Sequence, residues 1–561
     1  MVVFKKWLIV PLLWLMTFNT SGQTFGNGDS APGNSNRAPS QFESSNLPIV
    51  IINTNGQIIL DDPKIRADFS IVYNGPGVRN FLSDNPSFTS KVGIEIRGSS
   101  SQSFPKKSYG FETWDALNNA IDTTILGMPS ESDWILNANY TDKTLCRNVL
   151  AYQTWISMGH YGTRYRFCEV LINGEYLGIY ILSEKIKRDK NRLNIAKLTT
   201  LQNIDDPLTG GYIFKIDKMT GSGGDGWTSF FQPLIYDNGQ TIYFQYDYPK
   251  SIDITQAQKT YIQNYVKTFE STLAGPNFSD TLIGFRKYAV ESTFVDYFLV
   301  NEVSKNVDGY RLSTFLNKER DSKGGKLRIG PVWDYDIAWH NADYCGGDEL
   351  TGWAYQFPCT YDYWQVPFWW DRMMQDPLFI NHLKCRWLFL RNTVLSNATF
   401  DHQIDSISGM LNEAQQRNFT VWPILGVYVW PNPSPFPATY GEEISNLKTW
   451  IHQRLAWMDA SLPGTCQPTG IPEQSIAESD LQVFPVPCRA ELNIRYKVIR
   501  QVEVHWELID AVGQIIQRQP PAMHDAGVYL NQVNTTVLKP GIYFLKLTVG
   551  ENPMQRRVVK F

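Results

Sequence analysis

Alternating apolar and polar residues, separated by turn residues, predict a β-rich amino-terminal region. Residues 47–60 contain two short β-rich runs around Asn55-Gly56, a pair typical of two-residue hairpins. Similar sequence continues to about residue 111. A second Asn-Gly pair, Asn173-Gly174, lies between two further runs of this kind and predicts another hairpin.

Apolar residues that recur every three or four positions predict helices in the middle of the chain. Helices are predicted from about Lys143 to residue 160, over 253–305 and over 401–461, and a Pro-rich stretch at 430–437 interrupts the last region. Residues 480–561 instead show seven short strands at the spacing of a β-sandwich. The fold class is therefore α+β, followed by a small all-β domain.

Composition divides the chain into five parts. Two lysines precede an apolar run at the amino terminus, which is typical of a secretory signal over residues 1–22 and is too short for a membrane span. A Gly-, Ser-, Asn- and Pro-rich leader follows at 23–46. The core domain is predicted over 47–463, a linker over 464–478 and the β-domain over 479–561. We expect no integral membrane span in the mature chain.

Charge and cysteine content limit the classes of function. A net charge of −4 over 561 residues argues against general binding of nucleic acid. Export permits disulfides among the seven cysteines, and we expect the first between Cys345 and Cys359. The sequence has no CxxC or His-rich spacing that would predict a structural zinc site.

Three carboxylates lie near the ends of a predicted hairpin. Asp308 precedes a predicted strand at 310–318, and Asp334 and Asp336 follow a second one at 326–333. Carboxylates brought together repel one another unless a proton or cation lies between them. A divalent metal, most simply Mg²⁺, would relieve this repulsion. The alternative is that these residues serve only as helix caps and turn residues.

A small-residue turn upstream has the composition of a phosphate-binding loop. Arg97, Ser99 and Ser100 lie between two predicted strands, and Lys106 and Lys107 follow on the returning strand. Small residues let backbone N–H groups approach phosphate oxygens, and a lysine would supply the matching charge. Strand alternation does not decide which lysine points inward, so both are candidates. The alternative is an ordinary turn.

Two more charged residues are candidates for this site. Arg147 lies in the first turn of the predicted helix near Lys143 and is either part of the site or part of a solvated helix end. Glu184 ends a predicted strand among basic residues. In a kinase-like site a glutamate pairs with the lysine that contacts the nucleotide. Glu184 is the candidate for that role, and a surface ion pair is the alternative.

Three ordered motifs resemble the CotH (spore-coat protein H) kinase family. They are RGSSSQSFPKKSY, NVDGYRLSTFL and GPVWDYDIAW, within a resemblance over roughly residues 90–390. The resemblance implies an atypical protein-kinase-like core of two lobes with Mg²⁺ and ATP between them. It also implies that Asp334 ligates metal, that Asp336 assists there and that Asp308 orients the acceptor hydroxyl. Ser313 stands where conventional kinases place a second metal-binding Asn.

The carboxyl-terminal region is similar to the C-terminal sorting domain of type IX secretion cargo. The similarity rests on FPVP, ELIDAVGQII, LKPGIYFLKL and the basic residue near the end of the chain. It implies that the export machinery is a partner, that the fold is an immunoglobulin-like sandwich and that the protein is secreted or lies at the outer-membrane surface. An ordinary immunoglobulin-like binding module is the alternative.

These patterns lead to a first functional hypothesis and two rivals. The first is a secreted or surface kinase that transfers the ATP γ-phosphate to Ser or Thr of a secreted protein. The second is a non-catalytic scaffold or glycan-binding protein that uses the aromatic residues between Trp353 and Trp370. The scarcity of ATP outside the cell favours this second hypothesis. The third is a metal-dependent hydrolase that uses the same acids, so whether the protein is an enzyme stays open at this stage.

Overall fold

The computed structural model describes most of the chain beyond the predicted signal peptide. The described residues are 42–219, 225–236, 239–467, 481–498, 501–510, 514–525, 527–549 and 552–561. The predicted signal peptide, most of the leader and most of the linker therefore lie outside the described residues. The chain divides into two compact units. One contains the described residues up to 269 with 288–368 and 393–459, and the other contains 270–287, 369–392 and the described residues from 460.

A closed barrel of seven strands forms the amino-terminal part of the first unit. The strands of this region are β1 (Ser44–Ser45), β2 (Ile49–Asn53), β3 (Ile65–Val72), β4 (Asn80–Phe81), β5 (Phe88–Arg97), β6 (Ser108–Trp114), β7 (Thr123–Ile125), β8 (Met128–Glu131), β9 (Asp133–Asn137), β10 (Tyr165–Ile172) and β11 (Glu175–Glu184). The barrel order is β10-β11-β9-β6-β5-β3-β2, antiparallel except where β10 meets β2. Closure leaves none of these seven strands with an unpaired edge.

Alternate residues of the barrel strands form its core. Phe69, Val92, Phe111, Trp134 and Leu182 belong to one buried cluster inside the barrel. Helix α1 (Arg147–Ser157) lies between β9 and β10 in the chain. It begins about four residues later than predicted.

Of the two hairpins predicted at Asn-Gly pairs, the first does not form and the second is confirmed. The Asn55-Gly56 turn forms, with the Gln57 amide donating to the Thr54 carbonyl over 3.1 Å, but residues 57–60 form no strand and Ile58 is 80% exposed. The predicted hairpin partner is excluded because both edges of β2 are already paired, with β3 and β10. The hairpin at Asn173-Gly174 is confirmed by the pairing of β10 with β11.

The last residues of the predicted leader belong to the fold. Phe42 is 7% exposed and stacks on Tyr176 with ring centroids 4.7 Å apart. Strand β1 pairs with β4. Residues 42–46, which the sequence assigned to the leader, therefore pack on the fold, since the barrel and residues of the later helices cover the apolar ring of Phe42.

A five-stranded antiparallel sheet carries the predicted acidic hairpin. The elements of this region are α2 (Asp205–Leu208), β12 (Tyr212–Ile216), β13 (Gly226–Thr228), β14 (Tyr243–Tyr248), α3 (Gln256–Ala274), α4 (Glu291–Ser304), β15 (Thr314–Lys318) and β16 (Leu327–Ile329). The order is β13-β14-β12-β15-β16. Helix α4 is buried over most of its length, and its buried residues include polar ones such as Asn301 and Glu302, which have hydrogen-bond partners. The predicted helical region at 253–305 is confirmed by α3 and α4.

Five further helices follow β16 in the chain, and the first two belong to the second unit. They are α5 (Trp369–Met373), α6 (Pro377–Arg391), α7 (Asn397–Leu411), α8 (Ala414–Val421) and α9 (Tyr440–Ser461). Helix α6 starts with Asp376 as its cap, whose carboxylate accepts from the Leu378 amide over 3.0 Å, and with Pro377 in the first turn. No helix forms at 430–437, as the prolines predicted.

The carboxyl-terminal region is all-β, as predicted. Its strands are β17 (Gln482–Phe484), β18 (Glu491–Val498), β19 (Val502–Asp510), β20 (Ile515–His524), β21 (Gly527–Asn534), β22 (Gly541–Val549) and β23 (Asn552–Lys560). They form sheets of order β17-β18-β21 and β20-β19-β22-β23. Residues from both sheets, including Ile494, Leu508 and Leu545, share one buried cluster. All seven predicted strands are present.

Candidate functional site

The predicted hairpin forms, but it is shorter than its sequence pattern. Strands β15 and β16 pair with Leu316 opposite Ile329, while Tyr310 and Ser313 have left-handed φ values of 71° and 47°. Asp334 is left-handed too, at 69°. Among the described residues, seven of fifteen non-glycine residues with positive φ fall between 305 and 345. Such backbone is costly and clusters at functional sites, where the surrounding structure imposes it.

The structure brings Asp334 and Asp336 together. Their carboxyl groups are close enough to share a hydrogen bond. Each also accepts from a hydroxyl: Ser313 Oγ donates to Asp334 Oδ2 over 3.2 Å, and Thr141 Oγ1 donates to Asp336 Oδ2 over 3.3 Å. Solvent reaches Asp334, whereas Asp336 is half-buried. The pair therefore forms a small patch of oxygen atoms that is accessible from solvent.

The charge of this carboxylate pair is only partly compensated by the surrounding protein. Partial removal of the Asp334 carboxyl group from water by the surrounding protein raises its pKa, and the positive charge of Arg97 opposes this rise. Burial raises the pKa of Asp336 well above its usual value, and the charges of Asp334 and Asp142 raise it further. Because neighbouring carboxylates cannot both ionise cheaply, the pair holds a proton more readily than isolated aspartates do. A cation between them would have the same effect as that proton.

Asp308 lies in the same electrostatic neighbourhood. Burial raises its pKa, the Arg311 charge opposes this, and the Asp334 charge adds to the rise. One carboxylate oxygen, Oδ1, accepts from Arg311 Nη2 over 2.8 Å. The same guanidinium also donates to Asp362 Oδ2 over 3.1 Å. Arg311 therefore holds the Asp308 carboxylate in a defined orientation. The three predicted acids are thus brought together.

Arg97 is the predicted cation that the structure places beside these acids. Its half-buried guanidinium lies 5.5 Å from the centroid of the Trp333 ring. Burial lowers the pKa of Arg97, and the charges of Asp334 and Glu95 oppose that shift. A guanidinium that lies against an aromatic ring is suited to phosphate recognition.

Asp217 and Lys218 were not predicted as site residues, yet both lie at the acids. The Asp217 charge raises the pKa of Asp334, and the Lys218 charge lowers that of Asp308. Strand β12 runs antiparallel to β15, with Ile216 opposite Thr314, so the end of β12 meets the start of β15. An acidic residue directly after a strand was the available sequence signal, but only the strand pairing places it at the site.

The other predicted phosphate-binding residues have structural roles or lie in solvent. Ser99 and Ser100 are exposed, and Ser100 begins a short 3₁₀ turn. Lys107 Nζ donates to the carbonyls of Gln102 and Phe104, so it stabilises that turn. Lys106 is 3% exposed, and its ammonium donates to the Ile179 carbonyl over 2.5 Å and to Asn418 Oδ1 over 3.0 Å. The structure places Lys106 between the barrel and α8, not beside an aspartate.

The predicted pair between Glu184 and a nucleotide-contacting lysine does not form. Glu184 is fully buried and pairs with Arg164, 2.8 Å from Arg164 Nη2 to Oε1, and more distantly with Arg192. The reason is geometric, since β11 ends beside the residues that precede β10, and these supply Arg164. Glu184 is therefore part of a buried ionic network of the barrel, and neither of the proposed alternatives describes it.

Arg147 stabilises the part of the chain that follows Asp334 and Asp336. It is buried, with Nη1 2.6 Å from Asp142 Oδ1 and Nε donating to the Trp339 carbonyl over 3.2 Å. His340 stacks on Trp450 with centroids 6.0 Å apart, so its ring packs against an aromatic neighbour. Arg147 is thus neither solvated nor at the carboxylates: it joins α1 to the chain that follows Asp336.

The donor atoms fit a hard cation. Among the residues that the structure describes, no group of three or more His, Cys, Asp or Glu side chains is arranged to hold a metal. Mg²⁺, however, is usually held by one or two carboxylates, with water and substrate phosphates filling the other positions. Asp334 and Asp336 supply two carboxylates, and their raised pKa values mark the charge that a cation would offset.

Two disulfides constrain the core. The predicted bond between Cys345 and Cys359 is present, and Cys385 pairs with Cys466. Three thiols in the described residues are unpaired and buried: Cys146, Cys168 and Cys488. The first disulfide closes the loop that follows the acids.

The aromatic region proposed for glycan stacking is largely buried. Trp369 and Trp370 are at most 1% exposed, and Phe357 is 2% exposed. Only the exposed rings of this region could stack on a sugar, chiefly Tyr361 at 82% and Tyr363 at 47%. The large aromatic content here reflects core packing.

Comparison with known families identifies two regions. A protein of α+β fold with clustered carboxylates is joined to an all-β domain, and each part matches a family model. Residues 94–458 match the CotH kinase protein family and residues 482–560 match the secretion system C-terminal sorting domain. The chain belongs to the CotH kinase family. No curated protein matches it.

The sorting domain indicates that the protein is exported. It indicates export and a cell-surface or secreted location, and it implies the type IX secretion machinery as a partner. Within the described part of the chain, none of the helices combines the length and apolar character needed to cross a membrane.

Proposed function

We propose that this protein is a secreted or surface-bound kinase that transfers the ATP γ-phosphate to Ser or Thr of another secreted protein. The observation that carries the proposal is the convergence of Asp308, Asp334 and Asp336 beside Arg97. Family membership supports the same activity. The proposal includes an atypical kinase-like core whose two lobes are the barrel and the sheet with its helices.

The residues divide into three roles. Asp334 and Asp336 would hold Mg²⁺, whose bound ATP supplies the phosphoryl group. Arg97 neutralises negative charge on the phosphates, since it is the cation beside Asp334. Asp308 accepts a hydrogen bond from the acceptor hydroxyl and takes its proton as the hydroxyl oxygen attacks. Burial and the Asp334 charge raise its pKa, which makes Asp308 a better base than an isolated aspartate.

The experiment measures thermal protection by nucleotide with and without Mg²⁺. ATP with Mg²⁺ is expected to raise Tm by about 2–5 °C, because a ligand that binds only the folded state stabilises it. ATP alone should give much less. Asp334→Ala and Arg97→Met should each remove most of the shift. Lys107→Met is the matched control, because its ammonium is engaged by backbone carbonyls of the same turn.

Transfer is tested with a Ser- and Thr-containing peptide pool and mass spectrometry. Phosphopeptide that appears with wild type but not with Asp308→Asn supports the kinase. ADP and free phosphate without phosphopeptide would instead support the hydrolase hypothesis. A full Tm shift in Asp334→Ala would remove that residue from the metal role, and protection by oligosaccharide without metal would favour the non-catalytic hypothesis.

A further inference from the structure

The disulfide between Cys345 and Cys359 closes a loop beside Asp308, and we call residues 345–359 the cystine loop. The residue before its first cysteine is Tyr344. Burial raises the pKa of Tyr344, and the charge of Asp308 raises it further. The first end of the cystine loop therefore lies within electrostatic reach of the proposed base.

The second end of the cystine loop is connected to Asp308 by hydrogen bonds. The Asp362 amide donates to the Cys359 carbonyl over 3.1 Å, so Cys359 begins the turn that carries Asp362. Gln365 Nε2 donates to the carbonyls of both residues, over 2.9 Å to Cys359 and 2.7 Å to Asp362. Arg311 then donates to Asp362 Oδ2 over 3.1 Å and to Asp308 Oδ1 over 2.8 Å. A shift of Cys359 would therefore move the guanidinium that orients Asp308.

The middle of the cystine loop is held by contacts that do not need the disulfide. Glu302 on α4 accepts from the amides of Ala354 and Tyr355 over 2.7 and 2.9 Å. Arg454 on α9 donates to the Gly352 carbonyl over 2.8 Å. Loss of the disulfide should therefore release the two ends of the loop and leave its middle in place.

Cys345 is the cysteine of this pair that a small reductant can reach. It is half-buried and lines a cavity of about 200 Å³ together with Val307 and Trp353, whereas Cys359 is 5% exposed. This volume is several times that of a water molecule. A thiolate can therefore approach Cys345 Sγ from the cavity, and Cys359 Sγ is then the leaving group.

We propose that the Cys345–Cys359 disulfide is a redox switch that orients Asp308: the oxidised form holds the carboxylate for phosphoryl transfer, and reduction releases it while the fold stays intact. The role of Asp308 in transfer rests on the proposed function, but the redox dependence of the local structure does not. The sorting domain indicates export. Because cytosolic thiols are kept reduced, the site should become competent only after export into an oxidising compartment.

The reductant of this switch is a dithiol. One of its thiolates attacks Cys345 Sγ, the S–S bond breaks, and the Cys359 thiolate takes a proton. The second thiolate of the dithiol displaces Cys345 from the mixed disulfide, and this cysteine takes the second proton. Two electrons thus pass from the dithiol to the protein, and the dithiol leaves as a disulfide. The reverse exchange with a disulfide oxidant closes the loop again.

The first test measures phosphopeptide formation by variants of the mature protein. Cys345→Ser/Cys359→Ser should lower kcat about 10- to 100-fold, because a small displacement of a catalytic group is costly. Its Tm shift with ATP and Mg²⁺ should remain, since the proposed metal ligands precede the cystine loop. Wild type in dithiothreitol should lose the same activity, and oxidised glutathione should restore it.

The matched control is Cys385→Ser/Cys466→Ser. This second disulfide spans a sequence separation of 81, against 14 for the cystine loop, so its loss should lower Tm more. The control should nevertheless keep the wild-type kcat. In the described residues of this variant the cystine loop holds the remaining disulfide, so reduction of the control variant gives the same comparison if Cys345→Ser/Cys359→Ser does not fold.

The second test is hydrogen exchange followed by mass spectrometry, which needs no activity. The peptides that report on Asp308 and Asp362 span 306–316 and 359–366. The first contains the Leu312 amide, which donates to the Asp308 carbonyl over 3.0 Å. Both peptides should exchange at least about tenfold faster without the disulfide, while peptides from α4 and α9 stay unchanged.

Each outcome supports or overturns the proposal. Faster exchange in these two peptides together with a lower kcat supports it. Unchanged exchange, or transfer that reduction does not affect, overturns it. Faster exchange throughout residues 288–459 also overturns it, because the disulfide would then be only a structural bond. Faster exchange confined to the two peptides, in a protein that forms no phosphopeptide in either redox state, supports the switch and contradicts the proposed kinase.

Discussion

The fold holds Asp334 and Asp336 close together although their negative charges repel each other. Both have raised pKa values, and the charge of Asp334 contributes to the rise at Asp336. A raised carboxyl pKa in the folded state means that ionisation costs folding free energy. The stability that the protonated carboxyl groups contribute is fully present at low pH, and it is lost as pH rises through the raised pKa values. The site is therefore under electrostatic strain at neutral pH unless a cation is bound.

Asp336→Asn should stabilise the metal-free protein near neutral pH. Removing one of the two charges relieves the repulsion, and the amide oxygen still accepts from Thr141. We expect Tm in EDTA to rise by about 1–3 °C at pH 7.5, with a smaller difference at pH 5, where the wild-type carboxyls are more protonated. Mg²⁺ should stabilise wild type and not the variant. A lower Tm at pH 7.5 would contradict the repulsion.

Glu184 shows a buried charge with a structural role. Its carboxylate accepts from Arg164 Nε over 3.0 Å and lies 3.8 Å from the fully buried Arg192, which also contacts Glu131 at 3.0 Å. Glu184→Gln should cost about 2–4 kcal/mol, because it leaves buried guanidinium charge incompletely paired.

The measurement for Glu184→Gln is a pair of melting curves, with and without ATP and Mg²⁺. Tm should fall in both while the nucleotide-induced shift is kept. A small effect on Tm together with a lost shift would instead return Glu184 to the nucleotide site.

At the scale of elements, β11 and α8 are joined through Lys106. Asn418 Oδ1 on α8 accepts from Lys106 Nζ over 3.0 Å and from the Ile179 amide over 3.1 Å. Gly178 permits this approach: its φ is 87°, and a Cβ there would lie 2.4 Å from Asn418 Oδ1. The lysine thus joins a helix to the barrel wall.

Lys106→Met should abolish a pH-dependent part of the stability. Burial lowers the pKa of Lys106 to about 7 from 10.5. The folded state then binds fewer protons than the unfolded state between these values, so wild-type Tm should rise with pH over that window. The variant should show a flatter curve from pH 6.5 to 9.5 by circular dichroism, and equal slopes would contradict the assignment. Its ATP-induced shift should remain.

The acid hairpin shows what periodicity could predict at this scale. Alternation identified β15 and β16, but it extended β15 back to residue 310 because Tyr310–Ser313 continue the apolar pattern. The left-handed backbone of Tyr310 and Ser313 depends on the packing of neighbouring elements, which a pattern of residue types does not encode. The same limit applies to β2, because one of its two partners, β10, is distant in the chain.

At the scale of the whole molecule, the disulfides give a direct check of the fold. Non-reducing peptide mapping should recover Cys345–Cys359 and Cys385–Cys466. The mature native protein should react slowly with a thiol reagent, because Cys146, Cys168 and Cys488 are buried, and three thiols should react in denaturant. Fast labelling of the native protein would contradict the burial of these residues. Wild type in reductant, which exposes seven thiols once unfolded, calibrates the count.

The sequence by itself determined the α+β class, the seven carboxyl-terminal strands and the three acids that the structure brings together, because local periodicity and ordered motifs carry that information. Cysteine spacing did not fix the disulfides, although the expected bond between Cys345 and Cys359 is present. Tertiary structure alone decided which charges meet. Lys106 and Glu184 were drawn into buried contacts of the barrel, while Arg97 and Asp217 came to the acids from segments far apart in the chain. Side-chain direction depends on strand pairing and packing, and these are properties of the folded chain as a whole.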